Sequence, residues 1–287
     1  MSKNNTPTIS LEEMVSAVQA MTHDPQLLKL YDEGDKVSAS QTKHDVAHAY
    51  SVLETAQYLK AEVMRRFPDL LDQLAAEVVI PAGAFLHDIG RAVSVDDHAG
   101  AGKVIALQYL SEKGFPHKIA GRVAAVVACH RSDDFLKISV EKLRKFPELA
   151  IVVIADKCVG DEDRVRPGRA FALKVFRTVG LARVNWWHNA PHDRVNFAIK
   201  KCELFVDSDD APTKEHAGAI VLKLSLDERV APASELLSLY ARRFHSCGRG
   251  AKSLGFVFRI EVNGVRYCFN DDKEAWLPLA GFNVPLP

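Results

Sequence analysis

Apolar side chains recur every three to four residues through most of the chain up to about residue 200, the period of a helix with one buried face. Val52, Ala56, Leu59 and Val63 mark such a face on a long segment from Val46 to Val63. The same spacing predicts helices over Leu74–His87, Ala99–Glu112, Pro116–Cys129 and Pro147–Val159. Pro81 either kinks the Leu74–His87 segment or opens a new turn, and Gly90 is placed to end it. Residues 161–185, charged at first and then apolar, read as a loop followed by another helix.

Beyond about Asp207 the period shortens to two. Ile220, Leu222, Leu224 and Leu226 alternate with other residues as in a half-buried strand, and Phe256, Phe258, Ile260 and Val262 do so again. Asn263-Gly264 is a strong short hairpin signal, with Val265, Tyr267 and Phe269 as the return strand. Between the strands, Ser234–Phe244 carries a helical stripe of Leu236, Leu237, Tyr240, Ala241 and Phe244. The polar stretch from Asp207 to Pro212 separates the two textures. The pattern therefore predicts a mainly α protein: a helical domain over residues 11–207 and a small β-α-β-β domain over 213–287. Residues 1–10 are polar and read as a disordered tail without a signal-peptide core.

Composition narrows the function classes. With 37 basic and 37 acidic residues and no charged block, the chain does not look like a non-specific nucleic-acid binder or a membrane-surface protein. A small phosphorylated substrate remains compatible with that balance. No stretch is apolar enough to span a bilayer. Cys129, Cys158, Cys202, Cys247 and Cys268 are scattered and odd in number, as expected of reduced thiols in a cytoplasmic protein without a structural zinc site.

The helical frame then brings polar residues inward. His87-Asp88 ends an apolar run, and His48 shares the face of Val52, Ala56 and Leu59, with His44 one turn earlier. His98 opens a helix, His130 ends one, and Asp156 lies on the stripe of Leu149, Val152 and Val153. A buried aspartate or histidine without a partner costs several kcal/mol. Five helices each delivering one is economical only if the groups share a partner, and a metal ion is the simplest. Taken singly, each histidine is more readily a hydrogen-bonded core residue, and His87-Asp88 a helix cap and turn. His23, His117, His188, His192, His216 and His245 lack this context and read as surface or loop residues.

The order His48, His87-Asp88, Asp156 resembles the HD-domain superfamily of metal-dependent phosphohydrolases over residues 44–160. Its most specific pieces are Leu86-His87-Asp88-Ile89-Gly90-Arg91 and Ile154-Ala155-Asp156-Lys157. His98 and His130, within Asp97-His98-Ala99-Gly100-Ala101 and Ala128-Cys129-His130-Arg131, match the two extra histidines of the subgroup that binds two metals. His48 fits the first ligand through the valine four residues on; His44 is the alternative. In place of the lysine that many members carry after the His-Asp pair, this chain has Arg91 three residues beyond Asp88. No Gly-Tyr-Pro follows His130, which argues against a cyclic-di-GMP hydrolase of the HD-GYP kind.

The resemblance implies an HD-type helical bundle holding two divalent transition-metal ions (Fe, Mn, Co, Ni or Zn), with Asp88 bridging. His48, His87 and Asp156 would complete one ion, and His98 and His130 the other. Such a pair activates a water for attack on a nucleotide or another small phosphoester. Arg91, Arg131 and Lys157 each follow a ligand closely; they are candidates for phosphate charge, Arg91 and Lys157 also for a catalytic part, or else solvated helix-end cations. Two other readings fit the same residues: a di-iron oxygenase of the superfamily, and a non-catalytic metal-binding regulatory module. The loop Gly160–Gly168 with Trp186, Trp187 and His188 is either a substrate-facing lid or an internally paired loop. The exposed edge of the C-terminal sheet leaves room for a homodimer.

Overall fold

The computed structural model describes residues 9–38, 42–210, 216–270 and 273–283. Among these the chain is mainly helical, with one five-stranded sheet near its C-terminal end. The expected tail falls, up to residue 8, outside the described residues; Ser10 already closes a capping box with Glu13 on the first helix.

The chain forms two compact units. The first runs to Ser38 and takes in His44–Ile138 and Lys145–Asp156. Its helices are α1 (Leu11–Met21), α2 (Pro25–Val37), α3 (Val46–Arg66), α4 (Ile80–Leu86), α5 (His98–Glu112), α6 (His117–Cys129), the short α7 (Ser132–Phe135), and α9 (Pro147–Lys157) up to Asp156. The short α8 (Val140–Leu143) groups with the second unit. Asp45 caps α3 through the His48 amide, and the helix buries His48, Ala49, Val52, Ala56, Leu59 and Val63. At Pro81 the helix neither stops nor starts afresh: a π-helical turn, Ala75–Val79, runs without a break in helical backbone into α4.

Two helices depart from the one-faced pattern. Every residue of α4 is buried, and so is every residue of α9 from Pro147 to Asp156. A helix that is apolar all round belongs at the centre of a packed layer. The ends of these two carry His87-Asp88 and Asp156. The helix that was to run to His87 and stop at Gly90 instead ends at Leu86, and a 3₁₀ turn spans Ile89–Ala92. Gly90 is not a left-handed cap. A Cβ there would stand 2.0 Å from the His98 carbonyl oxygen and 2.3 Å from the Gly102 amide nitrogen, so glycine is required for the turn to lie against α5.

The second unit comprises Thr42, Lys43, Ser139–Arg144 and the chain from Lys157 on. It holds α10 (Pro167–Thr178), α11 (Ala190–Ala198), β1 (Ile199–Asp207), β2 (Ala219–Leu226), α12 (Ala233–Leu239), α13 (Ala241–Ser253), β3 (Val257–Val262), β4 (Val265–Asn270) and β5 (Ala275–Asn283). The strands lie in sequence order, with β2 and β3 parallel across the helical crossover and every other pair antiparallel. The predicted β-α-β-β is present as β2 to β4, and β1 and β5 flank it. Asp207 pairs with Ala219, so the polar stretch after Asp207 joins two neighbours in one sheet, and the division between units falls after Asp156. The predicted single helix Ser234–Phe244 is two, because Tyr240 leaves helical geometry at φ −103°, ψ 14°. Asn263 and Gly264 form the expected turn, at φ 48° and 81°.

Candidate metal centre

Five helices of the first unit bring six polar side chains together. His48 projects from the first turn of α3, and His87 and Asp88 follow α4 directly. His98 begins α5 behind Asp97, whose carboxylate caps the Gly100 amide. His130 follows the last residue of α6, and Asp156 is the penultimate residue of α9. All six are buried; His98 and Asp156, at 7% and 8% exposure, are the most open.

Asp88 stands at the centre with its two oxygens divided. Oδ2 lies 3.5 Å from His87 Nε2, while Oδ1 lies 3.3 Å from His98 Nε2 and 3.5 Å from His130 Nε2. On the His87 side, Asp156 Oδ1 is 3.4 Å from His48 Nε2 and 3.6 Å from His87 Nε2. Arg91 reaches back over one 3₁₀ turn, with Nε 3.2 Å from Asp88 Oδ1.

Three imidazoles are locked from behind. The Nδ1 atoms of His87, His98 and His130 lie 2.8, 2.9 and 2.7 Å from the carbonyl oxygens of Ala84, Val95 and Val127, each three residues earlier. A carbonyl only accepts, so Nδ1 carries the hydrogen and Nε2 of the neutral ring presents a lone pair. Those lone pairs face a carboxylate, and His98 Nε2 and His130 Nε2 face one another at 3.2 Å. Without a cation this arrangement is repulsive. His87 Nε2 is fully buried and has no hydrogen-bond partner among the described residues.

The electrostatics follow the same division. Burial opposes the Asp88 charge, but Arg91 and His87 more than offset it and hold the carboxyl well below the usual range. Burial also pulls at His87, yet the Asp88 and Asp156 carboxylates raise it. Burial dominates at His98 and takes it down to about 4. Positive charge is thus favoured beside His87, where two carboxylates converge.

A metal ion fits these donors. Bonds of about 2.0–2.2 Å place neighbouring ligands roughly 3.0–3.6 Å apart around an ion, and the separations given above, 3.2–3.6 Å, match. His48, His87 and Asp88 form one buried group that could hold an ion, and Asp88, His98 and His130 form another. Imidazole and carboxylate without thiolate are donors for a first-row transition ion.

The remaining predicted residues lie as follows. His44 is half-buried with its ring 5.9 Å from that of His48, and its amide donates to Asp35; it is not in either group. Arg91 is buried on Asp88 and is no solvated helix-end cation. Arg131 spends one nitrogen on the Asp96 carbonyl at 2.6 Å, beside His98. Lys157 ends α9, is half-buried and groups with the second unit. In the Gly160–Gly168 loop Asp161 caps a 3₁₀ turn, while Glu162 and Arg164 pair outside it, with Lys200 and the Lys43 carbonyl; Trp187 donates to Asp193. All five cysteines are free, and Cys158 packs against Cys247 with sulfurs 3.8 Å apart. A further element at the site is α2, whose Tyr31 lies against Phe85 and whose Gly34 lies against Arg91 and Ala92; its stripe of Leu27, Tyr31 and Gly34 is the sequence signal for it. No protein-family model and no curated protein matches the chain.

Proposed function

We propose that the chain is a metal-dependent phosphohydrolase with an HD-type helical bundle, cytoplasmic, acting on a nucleotide or another small phosphoester. The observation that carries this reading is the division of the Asp88 carboxylate, one oxygen towards His87 and the other towards His98 and His130, so that it could serve ions on both sides. His48, His87 and Asp156 would hold one ion with Asp88, and His98 and His130 the other. Bound there, the ions would supply a water of lowered pKa and positive charge for the phosphoryl oxygens.

The chain's own groups would do the rest. Three backbone carbonyls keep the imidazoles of His87, His98 and His130 in the orientation that directs Nε2 at the site. Arg91 offsets part of the charge of the buried carboxylates and orients Asp88 Oδ1. The slight exposure of His98 and Asp156 marks the side from which a substrate would approach, and Arg131, tethered to the Asp96 carbonyl two residues before His98, is a candidate for phosphate charge there.

The test is metal content of the tag-free protein, followed by turnover on a phosphoester panel with and without dioxygen. Near two transition ions per chain with oxygen-independent hydrolysis is the expected result. Asp88→Ala should lose both ions and turnover while keeping its helical content. No metal after reconstitution, or full activity of Asp88→Ala, would overturn the assignment; turnover that needs dioxygen would move it to the oxygenase reading.

A further inference from the structure

The break between α4 and the 3₁₀ turn is where the two adjacent ligands sit, and it leaves the helix-end backbone groups in need of partners. Asp88 has left helical geometry, at φ −102° and ψ 3°. The Ala84 carbonyl is taken by the His87 ring. The next carbonyl, of Phe85, accepts from the hydroxyl of Tyr31 on α2. One phenol therefore ties α2 to the last turn of α4, directly before the two adjacent ligands. Tyr31 is 2% exposed and packs edge-on against the Phe85 ring at 5.7 Å.

A second contact holds α2 in place. Gly34, one turn beyond Tyr31 on the same face, lies so close to the 3₁₀ turn that a Cβ would stand 3.0 Å from the Ala92 amide nitrogen and 3.0 Å from Arg91 Cβ. Tyr31 and Gly34, on the buried face of α2, thus meet the chain at both ends of residues 85–92.

We propose that Tyr31 is a positioning residue for the candidate metal ligands: by holding the Phe85 carbonyl, its hydroxyl fixes the last turn of α4 and so the direction in which His87 and Asp88 leave it. This role rests on the metal-centre reading given above. It needs no contact with substrate and no change of protonation at Tyr31.

Metal-free wild type and Tyr31→Phe are titrated with Co(II) while the d–d absorption is followed, and amide exchange of the 85–92 segment is measured on the metal-free proteins. Tyr31→Phe should bind Co(II) about tenfold more weakly, give a changed absorption envelope and exchange faster in that segment. A purely structural role would lower the melting temperature and leave the Co(II) affinity and spectrum of the folded protein unaltered; that result overturns the proposal. If wild type takes up no Co(II), the metal reading falls and takes this role with it. Uptake by wild type with an unaltered variant removes the positioning role alone. Should Tyr31→Phe not fold, Gly34→Ala carries the test, since it keeps the hydroxyl and pushes α2 off the turn; weaker binding supports the proposal and wild-type binding opposes it.

Discussion

Gly90→Ala isolates the packing that sets the distance between the two halves of the candidate centre. The added Cβ would meet the His98 carbonyl oxygen at 2.0 Å, the Gly102 amide nitrogen at 2.3 Å and Gly102 Cα at 2.8 Å. Real Cβ contacts essentially never fall below 3.0 Å, and all three obstacles are backbone, so no side chain can turn aside. The 3₁₀ turn and α5 must separate by about 1 Å. Overpacking of this kind costs roughly 1–3 kcal/mol, and a rigid backbone on both sides puts this variant at the upper end. At about 2–4 °C per kcal/mol for a unit of this size, the melting temperature should fall by roughly 6–12 °C. The same movement stretches the 3.3 Å approach of His98 to Asp88. One ångström of misplacement can cost about a hundredfold in rate, and under the two-metal proposal metal binding at Asp88, His98 and His130 should weaken before that at His48, His87 and Asp88. Thermal melts of the metal-free protein followed at 222 nm, with metal counted by mass spectrometry after reconstitution, read both effects. Gly121→Ala is the control: it lies in α6 with nothing within 4 Å of the added carbon, and should be neutral or stabilise by about 0.5–1 kcal/mol. If Gly90→Ala melts within about 2 °C of wild type and holds its full complement of metal, the argument from close approach is wrong.

Two further predictions concern the frame around the centre. Asp24 caps α2 through the Gln26 amide and also accepts from Tyr109 and Lys113; burial alone would raise its carboxyl, but those hydrogen bonds together hold it below its ordinary value of 3.8. Its contribution is therefore present above about pH 4 and lost as the pH falls through the lower folded value. Asp24→Ala should cost about 1 kcal/mol at pH 7, a difference from wild type that shrinks in urea denaturation below pH 4; a difference constant with pH would refute the linkage. Arg122 donates twice to Glu148, which is only 1% exposed, at 2.9 and 2.6 Å. Arg122→Ala leaves that carboxylate buried without its cation and should cost about 3 kcal/mol by urea denaturation; less than 1 kcal/mol would mean that the pair does not hold the helices together.

The polar residues gathered at the centre were legible because each interrupts an apolar stripe at a helical interval. His48 lies four residues before Val52, and Asp156 follows Leu149, Val152 and Val153, so period alone turns both inward. Period does not say how a helix ends, and there the reading went astray. Gly90 looks like a terminator in sequence, yet its purpose is close backbone contact with His98 and Gly102 of α5, neighbours in space that the chain reaches only further on. The strand β1 was missed because Lys200, Lys201 and Glu203 break its alternation, as the edge of a sheet allows. Arg131 could be placed beside a ligand but not tied to the Asp96 carbonyl, since the partner is a backbone atom that every residue carries.

That last limit explains the least legible and most consequential feature, the locking of the imidazoles. The final carbonyls of a helix have no intrahelical donors. A histidine just past the last turn can fold its ring back on the carbonyl three residues earlier, which satisfies that carbonyl and fixes Nδ1 as the protonated nitrogen in one bond. His87 after α4 and His130 after α6 both do this. His98 reaches the same state from the other end, by bonding the Val95 carbonyl in the loop before α5. His48 sits within the first turn of α3, has its amide capped by Asp45, and directs Nε2 to Asp156. The positions of the ligands at helix ends are thus a consequence of hydrogen-bond accounting as much as of topology: those ends supply the spare acceptors that leave Nε2 free for an ion.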